Sequence, residues 1–159
     1  MNKDSATFFF NKDQAYIRFL IGVDDEVWPI DKFTKEIGVT PTEAYKTGDV
    51  YKRGARSLTR YATVWSIDTG DVFLRYEEEE SKKIIESLIA PLKSKVDLIN
   101  EYREKYNLVC IFFIHYKFFD AQTPGMRLHP SVISFANNVE AIIDVYIDNE
   151  KSLDTQSNF

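Results

Sequence analysis

Two repeats run through the apolar positions of this chain, one of period two and one of three to four residues. Between them they lay out the elements. The longest period-two stretch, Val109 to Phe118 (VCIFFIHYKF), has neither Pro nor Gly and is dense in β-branched and aromatic side chains, which predicts a strand. Alternation sets Cys110, Phe112, Ile114, Tyr116 and Phe118 on one face and Val109, Ile111, Phe113, His115 and Lys117 on the other. Because both faces are apolar through Phe113, an interior strand covered on two sides is expected, its second face turning polar at His115.

Taken in order, Ala15 to Ile21 (AYIRFLI) alternates as a strand that Gly22 and an acidic turn end. Ile30, Phe33 and Ile37 then fall at helical spacing, with Asp31 in the first turn and Gly38 just past the end, so a helix over 30–37 is predicted. A poorly patterned strand is placed near 41–47 and a better one at Tyr61–Ile67. Asp68-Thr69-Gly70-Asp71 reads as a turn, making 61–67 and 72–76 a hairpin. From Glu77 to 104 one apolar stripe recurs at three- and four-residue steps. Pro91 interrupts it: either the helix kinks there or, the favoured reading, one helix ends near Ile89 and another starts with Pro91 in its first turn. A short helix over 132–137 and a half-covered strand over 139–147 follow.

The predicted fold class is α+β: a two-layer domain with a mostly antiparallel sheet and helices on one face, a ferredoxin-like order with an added helix and strand. Residues 15–149 form that domain, 1–14 a lead-in and 150–159 a flexible tail. Trp65 is expected on the Thr63–Ile67 face, against Ile85 or Leu88 of the long helical region.

Charge narrows the partners. A formal net charge of -5 and a pI near 5.1 fit neither nucleic-acid binding, which rests on cations neutralising phosphate, nor a membrane surface. No apolar run approaches the roughly 18–20 residues needed to span a bilayer, and the N-terminal residues do not have the pattern of an export signal. Cys110 is the one cysteine; set in an apolar strand, it reads as a core residue before a nucleophile. The expected compartment is the cytoplasm.

Candidate chemistry is sparse. His115 and His129 are the only histidines, and neither HExxH nor CxxC spacing is present. There is no GxSxG elbow and no phosphate-cradling glycine loop. Asp24, Asp25 and Glu26 could offer oxygens to a cation, although a solvated turn explains them as well. No cofactor, no metal and no catalytic residue is expected. From Glu43 to Tyr61, however, lie Lys46, Lys52, Arg53, Arg56 and Arg60 against only Glu43 and Asp49. This is a basic island in an acidic protein. Lys52, Arg53, Arg56 and Arg60 are the candidate ligand- or partner-binding residues, because guanidinium forks pair with carboxylates and phosphates. Solvation, or pairing to the acidic run Glu77–Glu80, is the structural alternative.

Several segments together resemble the bacterial family known as domain of unknown function 4279. They are RFLIG, IDKFTKEIGVTPTEAYKTGD, the approach to YATVWSI, the LIAPL helix segment and the final VEAIIDVYID. The resemblance spans roughly Tyr16 to Asp148 and implies Pro41, Thr42, Gly48 and Trp65 as signature positions. It implies an α+β domain with no established activity, and some relatives look like immunity-type proteins of toxin systems. The expectation is therefore a small non-enzymatic binding or interaction protein with a protein partner, a toxin masked by an immunity-type protein being one form. An anion- or small-ligand-binding protein or enzyme using 46–60, and a structural homo-oligomer subunit, are the alternatives.

Overall fold

In the computed structural model, which describes residues 13–73, 78–119 and 127–149, the middle of the sheet belongs to the strand β1 (Gln14–Asp24). On one side it pairs antiparallel with β5 (Ala62–Phe73), on the other with β6 (Val109–Phe118). The short β2 (Glu43–Tyr45) lies outside β5, antiparallel to it, and β7 (Ile142–Asn149) lies outside β6, parallel to it. The order β2-β5-β1-β6 is that of a ferredoxin-like sheet, with β7 as the addition. A separate two-stranded ribbon, β3 (Val50–Arg53) with β4 (Arg56–Thr59), is inserted between β2 and β5. The lead-in 1–12, the tail 150–159 and the Pro124-Gly125 loop lie outside the described residues.

One face of this sheet carries the core. Ala15, Ile17, Phe19 and Ile21 of β1 are buried in one cluster with Phe112 and Ile114 of β6. Every helix adds to the same cluster: Ile30, Phe33 and Ile37 from α1 (Ile30–Ile37), Ile85, Leu88 and Ile89 from α2 (Glu78–Ile89), Ile99 and Tyr102 from α3 (Val96–Tyr106), and Val132 and Phe135 from α4 (Pro130–Asn138). Helices therefore cover one face only. Ile111, Phe113, His115 and Lys117, on the other face of β6, are half-buried and Val109 is exposed. The two-sided cover expected for this strand is corrected accordingly: it is interior to the sheet but helix-covered on one side.

Two local readings also change. Asp68-Thr69-Gly70-Asp71 is no hairpin turn, because β5 runs unbroken through it. The pairing with β1 slips there, from Arg18↔Asp68 to Tyr16↔Asp71. Thr69 Oγ1 accepts the Ile17 amide at 3.1 Å, Asp68 Oδ1 accepts the Gly70 amide at 2.8 Å, and Gly70 sits at φ +64°. The turn residues are spent on a bulge, which shares their chemistry. The last strand begins at Ile142 rather than Val139, since Val139 caps α4 and Glu140 turns the chain at φ 49°.

Pro91 does separate two helices. It lies in a 3₁₀ segment over Ala90–Lys95 that links α2 to α3, where a missing amide and a fixed φ are tolerated. α1 follows its sequence signals closely. Gly38 adopts the left-handed conformation at φ 68° and donates its amide to the Thr34 carbonyl at 3.3 Å. Trp65 is fully buried, and its indole meets Phe33 of α1 edge-on at 5.4 Å. Trp28 joins the same group, 5.3 Å from Phe33, and donates its indole N–H to the Thr63 carbonyl at 3.0 Å.

Candidate functional site

The basic island divides in the structure. The β3–β4 ribbon turns through Gly54 and Ala55, Gly54 at φ +62°, and Arg53 faces Arg56 across its end. Lys52, Arg53 and Arg56 are exposed there, without an ionic partner among the described residues. Arg60 behaves differently. Its Nη2 donates to Glu43 Oε1 at 2.5 Å, and its guanidinium lies over Tyr45 at 3.9 Å and Tyr51 at 4.1 Å. The planar cation is thereby held between two rings. Lys46 is tied down as well, donating to Asp31 Oδ2 at 2.6 Å, a bond that raises its pKa. Arg60 therefore anchors the ribbon to the sheet, and the remaining three cations project from it. Glu77 lies outside the described residues, as do the side chains of Glu78–Glu80, so the pairing expected there is not among the bonds described.

Glu43 accepts a second arginine. Arg18 Nη2 reaches Glu43 Oε2 at 3.1 Å and Ser66 Oγ at 2.8 Å, with only 19% of its side chain exposed. One carboxylate thus spans two guanidinium groups, while the buried Nε of Arg18 has no partner. This pair opens onto the helix-free face of the sheet, where register decides which side chains meet. Arg18 lies beside Asp68 on one strand and Phe113 on the other, and Phe113 lies beside Asp144. The next row sets Asp71, Tyr16, His115 and Tyr146 side by side.

Aromatic rings hold the middle of that face. Phe113 meets Tyr16 at 6.3 Å, His115 at 6.2 Å and Tyr146 at 5.0 Å. Burial raises the Tyr16 phenol above its ordinary value; Arg18 opposes this and Asp68 adds to it. At the border His115 Nε2 and Asp148 Oδ2 are hydrogen-bonded at 2.8 Å. Aromatic rings thus stand at the centre of that face and fixed charges at its border.

In the sequence Phe113 and Tyr146 stand out only as alternating positions, and His115 as one of two histidines and the point where its strand face turns polar. Their meeting depends on β1, β6 and β7 being neighbours, which no local pattern encodes. The one signal within reach was Arg18, a lone charge inside an apolar strand.

His115 has Asp148 as its hydrogen-bond partner, and among the described residues no serine, threonine or cysteine is bonded to it as a nucleophile would be. Among the described residues no three of His, Cys, Asp and Glu gather as metal ligands. Cys110 is buried, and burial pushes its thiol up to about 12, which leaves it inert at neutral pH. His129 precedes α4 but makes no side-chain cap bond. An open groove of about 460 Å³ between the β5 bulge and α2 is lined by Asp68, Thr69, Val72, Lys83, Ile84, Ser87 and Leu88.

The model of the family described as domain of unknown function (DUF4279) matches residues 14–150, most of the chain. This chain belongs to the DUF4279 family. The match starts with β1 and ends one residue beyond β7, so it takes in the whole sheet and the ribbon. No curated protein and no solved structure matches the chain. No helix among the described residues is long and apolar enough to cross a membrane.

Proposed function

We propose that this DUF4279 protein is a non-enzymatic binding protein that receives a protein partner on the helix-free face of its sheet. The observation that carries the reading is the ring cluster of Tyr16, Phe113 and Tyr146, bordered by the Arg18–Glu43 and His115–Asp148 pairs. Rigid aromatics ringed by already-paired charges lose little entropy on contact and supply most of the binding energy in known interfaces. With a net charge of -5, the partner this protein fits is a basic one, drawn in by long-range attraction. A basic toxin, masked as an immunity protein masks its target, is one partner of that kind.

A second reading has its own observation. Lys52, Arg53 and Arg56 project unpaired from the ribbon and could contact an acidic partner or an anion. The test compares affinity capture from native cells by the wild type, a Phe113→Ser/Tyr146→Ser protein and a Lys52→Ala/Arg53→Ala/Arg56→Ala protein. Each must first show a cooperative melt, and the captured partner is then purified for calorimetry. Loss of two central aromatics is expected to weaken binding about 30-fold or more, the scale of a ~2 kcal/mol hot spot, while the ribbon variant binds within a few-fold. Undiminished binding by the aromatic variant together with loss in the ribbon variant would shift the contact to the second reading.

A further inference from the structure

β7 is the outermost strand beyond β6, eight residues long and without Pro or Lys, two of the usual devices that blunt an edge. Its helix-side face alternates Ile143, Val145 and Ile147, yet Val145 is 37% exposed and Ile147 52%. The helical layer therefore stops short of this strand. On the opposite face Ile142 and Tyr146 are 53% and 54% exposed. Among the described residues, nothing pairs with the outer edge of β7.

We infer that this edge pairs with the β7 edge of a second copy, antiparallel about a two-fold axis at Val145, joining the two five-stranded sheets into one. In that pairing, strand length and charge together select the register. A two-fold axis perpendicular to a sheet sets a residue opposite its own copy, and opposed side chains share a face. Centring on Asp144 opposes that aspartate to itself, and centring on Tyr146 opposes Asp144 to Asp148; like charges directly opposite destabilise a sheet. Centring on Val145 avoids both. It opposes Ile143 to Ile147, an apolar pair, and Asp144 to Tyr146, whose phenol can donate to a carboxylate. The exposed apolar stripes on the two helix-side faces then adjoin. Surface left uncovered in one copy is covered in two.

This inference uses the edge of β7 rather than the ring cluster on the face; the two share Tyr146, so the test rests on Val145 and Ile142, which lie outside that cluster. The test is sedimentation of the full chain together with cysteine cross-linking. Opposed Cα atoms in an antiparallel pair lie about 4.5–5.5 Å apart, within the roughly 4.4–6.8 Å that a disulfide spans. Cys110 is buried and gives little background. Wild type should sediment as a dimer at micromolar concentration, and Val145→Cys should form a covalent dimer on mild oxidation. Ile142→Cys, far from its own copy in this register, should not. Val145→Lys should sediment as a monomer with an unchanged circular dichroism spectrum. A monomeric wild type, equal cross-linking at both cysteine positions, or a β7 edge occupied by a strand of a different protein would overturn the inference.

Discussion

Tyr102 illustrates how one side chain joins two packed helices. Its ring lies in the core, 5.0 Å from Phe33, while its hydroxyl donates to Glu36 Oε2 at 2.5 Å. Burial, with the carboxylate second, raises the phenol far above its ordinary value. The same bond, first among the causes, holds the Glu36 carboxyl below its ordinary value. Folding thus favours the ionised carboxylate. That contribution is complete above the ordinary carboxylate pKa and is lost as pH falls through the lowered folded value. Tyr102→Phe should lower the urea midpoint at neutral pH, and its deficit against wild type should shrink on acidification below about pH 4. A deficit as large at pH 3 as at pH 7 would mean that packing, rather than the bond, is what the substitution removes. At this scale the sequence was legible where the environment is local, as with buried Cys110 or Asp31 in the first turn of α1. It marked Arg60 as a candidate binding residue without its partners Glu43, Tyr45 and Tyr51, which come from two strands, β2 and β3.

Elements with a strong period came through the sequence well, and α1 runs over the predicted residues. The bulge in β5 did not, because a turn and a bulge ask for the same Asp, Thr and Gly; only the neighbouring strand distinguishes them. A comparable dependence on a neighbour holds at Gly22, which seals β1 against β5. A Cβ there would lie 2.7 Å from the Thr63 carbonyl oxygen and 2.9 Å from Val64 Cγ2. That carbonyl also accepts the Trp28 indole, so the clash would reach the aromatic group beneath α1. Gly22→Ala should therefore cost about 1–3 kcal/mol, the usual penalty of overpacking, read as a fall in the urea midpoint. An unchanged midpoint would show that the two strands can part there without loss. The sequence marked Gly22 as the end of a strand; in the fold it is a point of closest approach within one.

For the molecule as a whole, alternation and helical spacing were enough for the α+β layers, and the succession of strands and helices for the ferredoxin-like core, whereas the place of β7 beside β6 was not legible. The candidate contact surface was not legible, since Tyr16, Phe113 and Tyr146 are far apart in the chain and meet through strand order alone. The basic island was visible as composition, yet the fold ties Arg60 and Lys46 to carboxylates and leaves the other three cations on a ribbon. Docking of a protein partner on the helix-free face is tested most directly by photo-cross-linking in native cells, with a benzophenone side chain at Phe113 in one protein and at Arg56 in another. A specific hetero-adduct is expected from position 113, abolished by Tyr146→Ser, and none from position 56. Adducts from position 56 alone would contradict it.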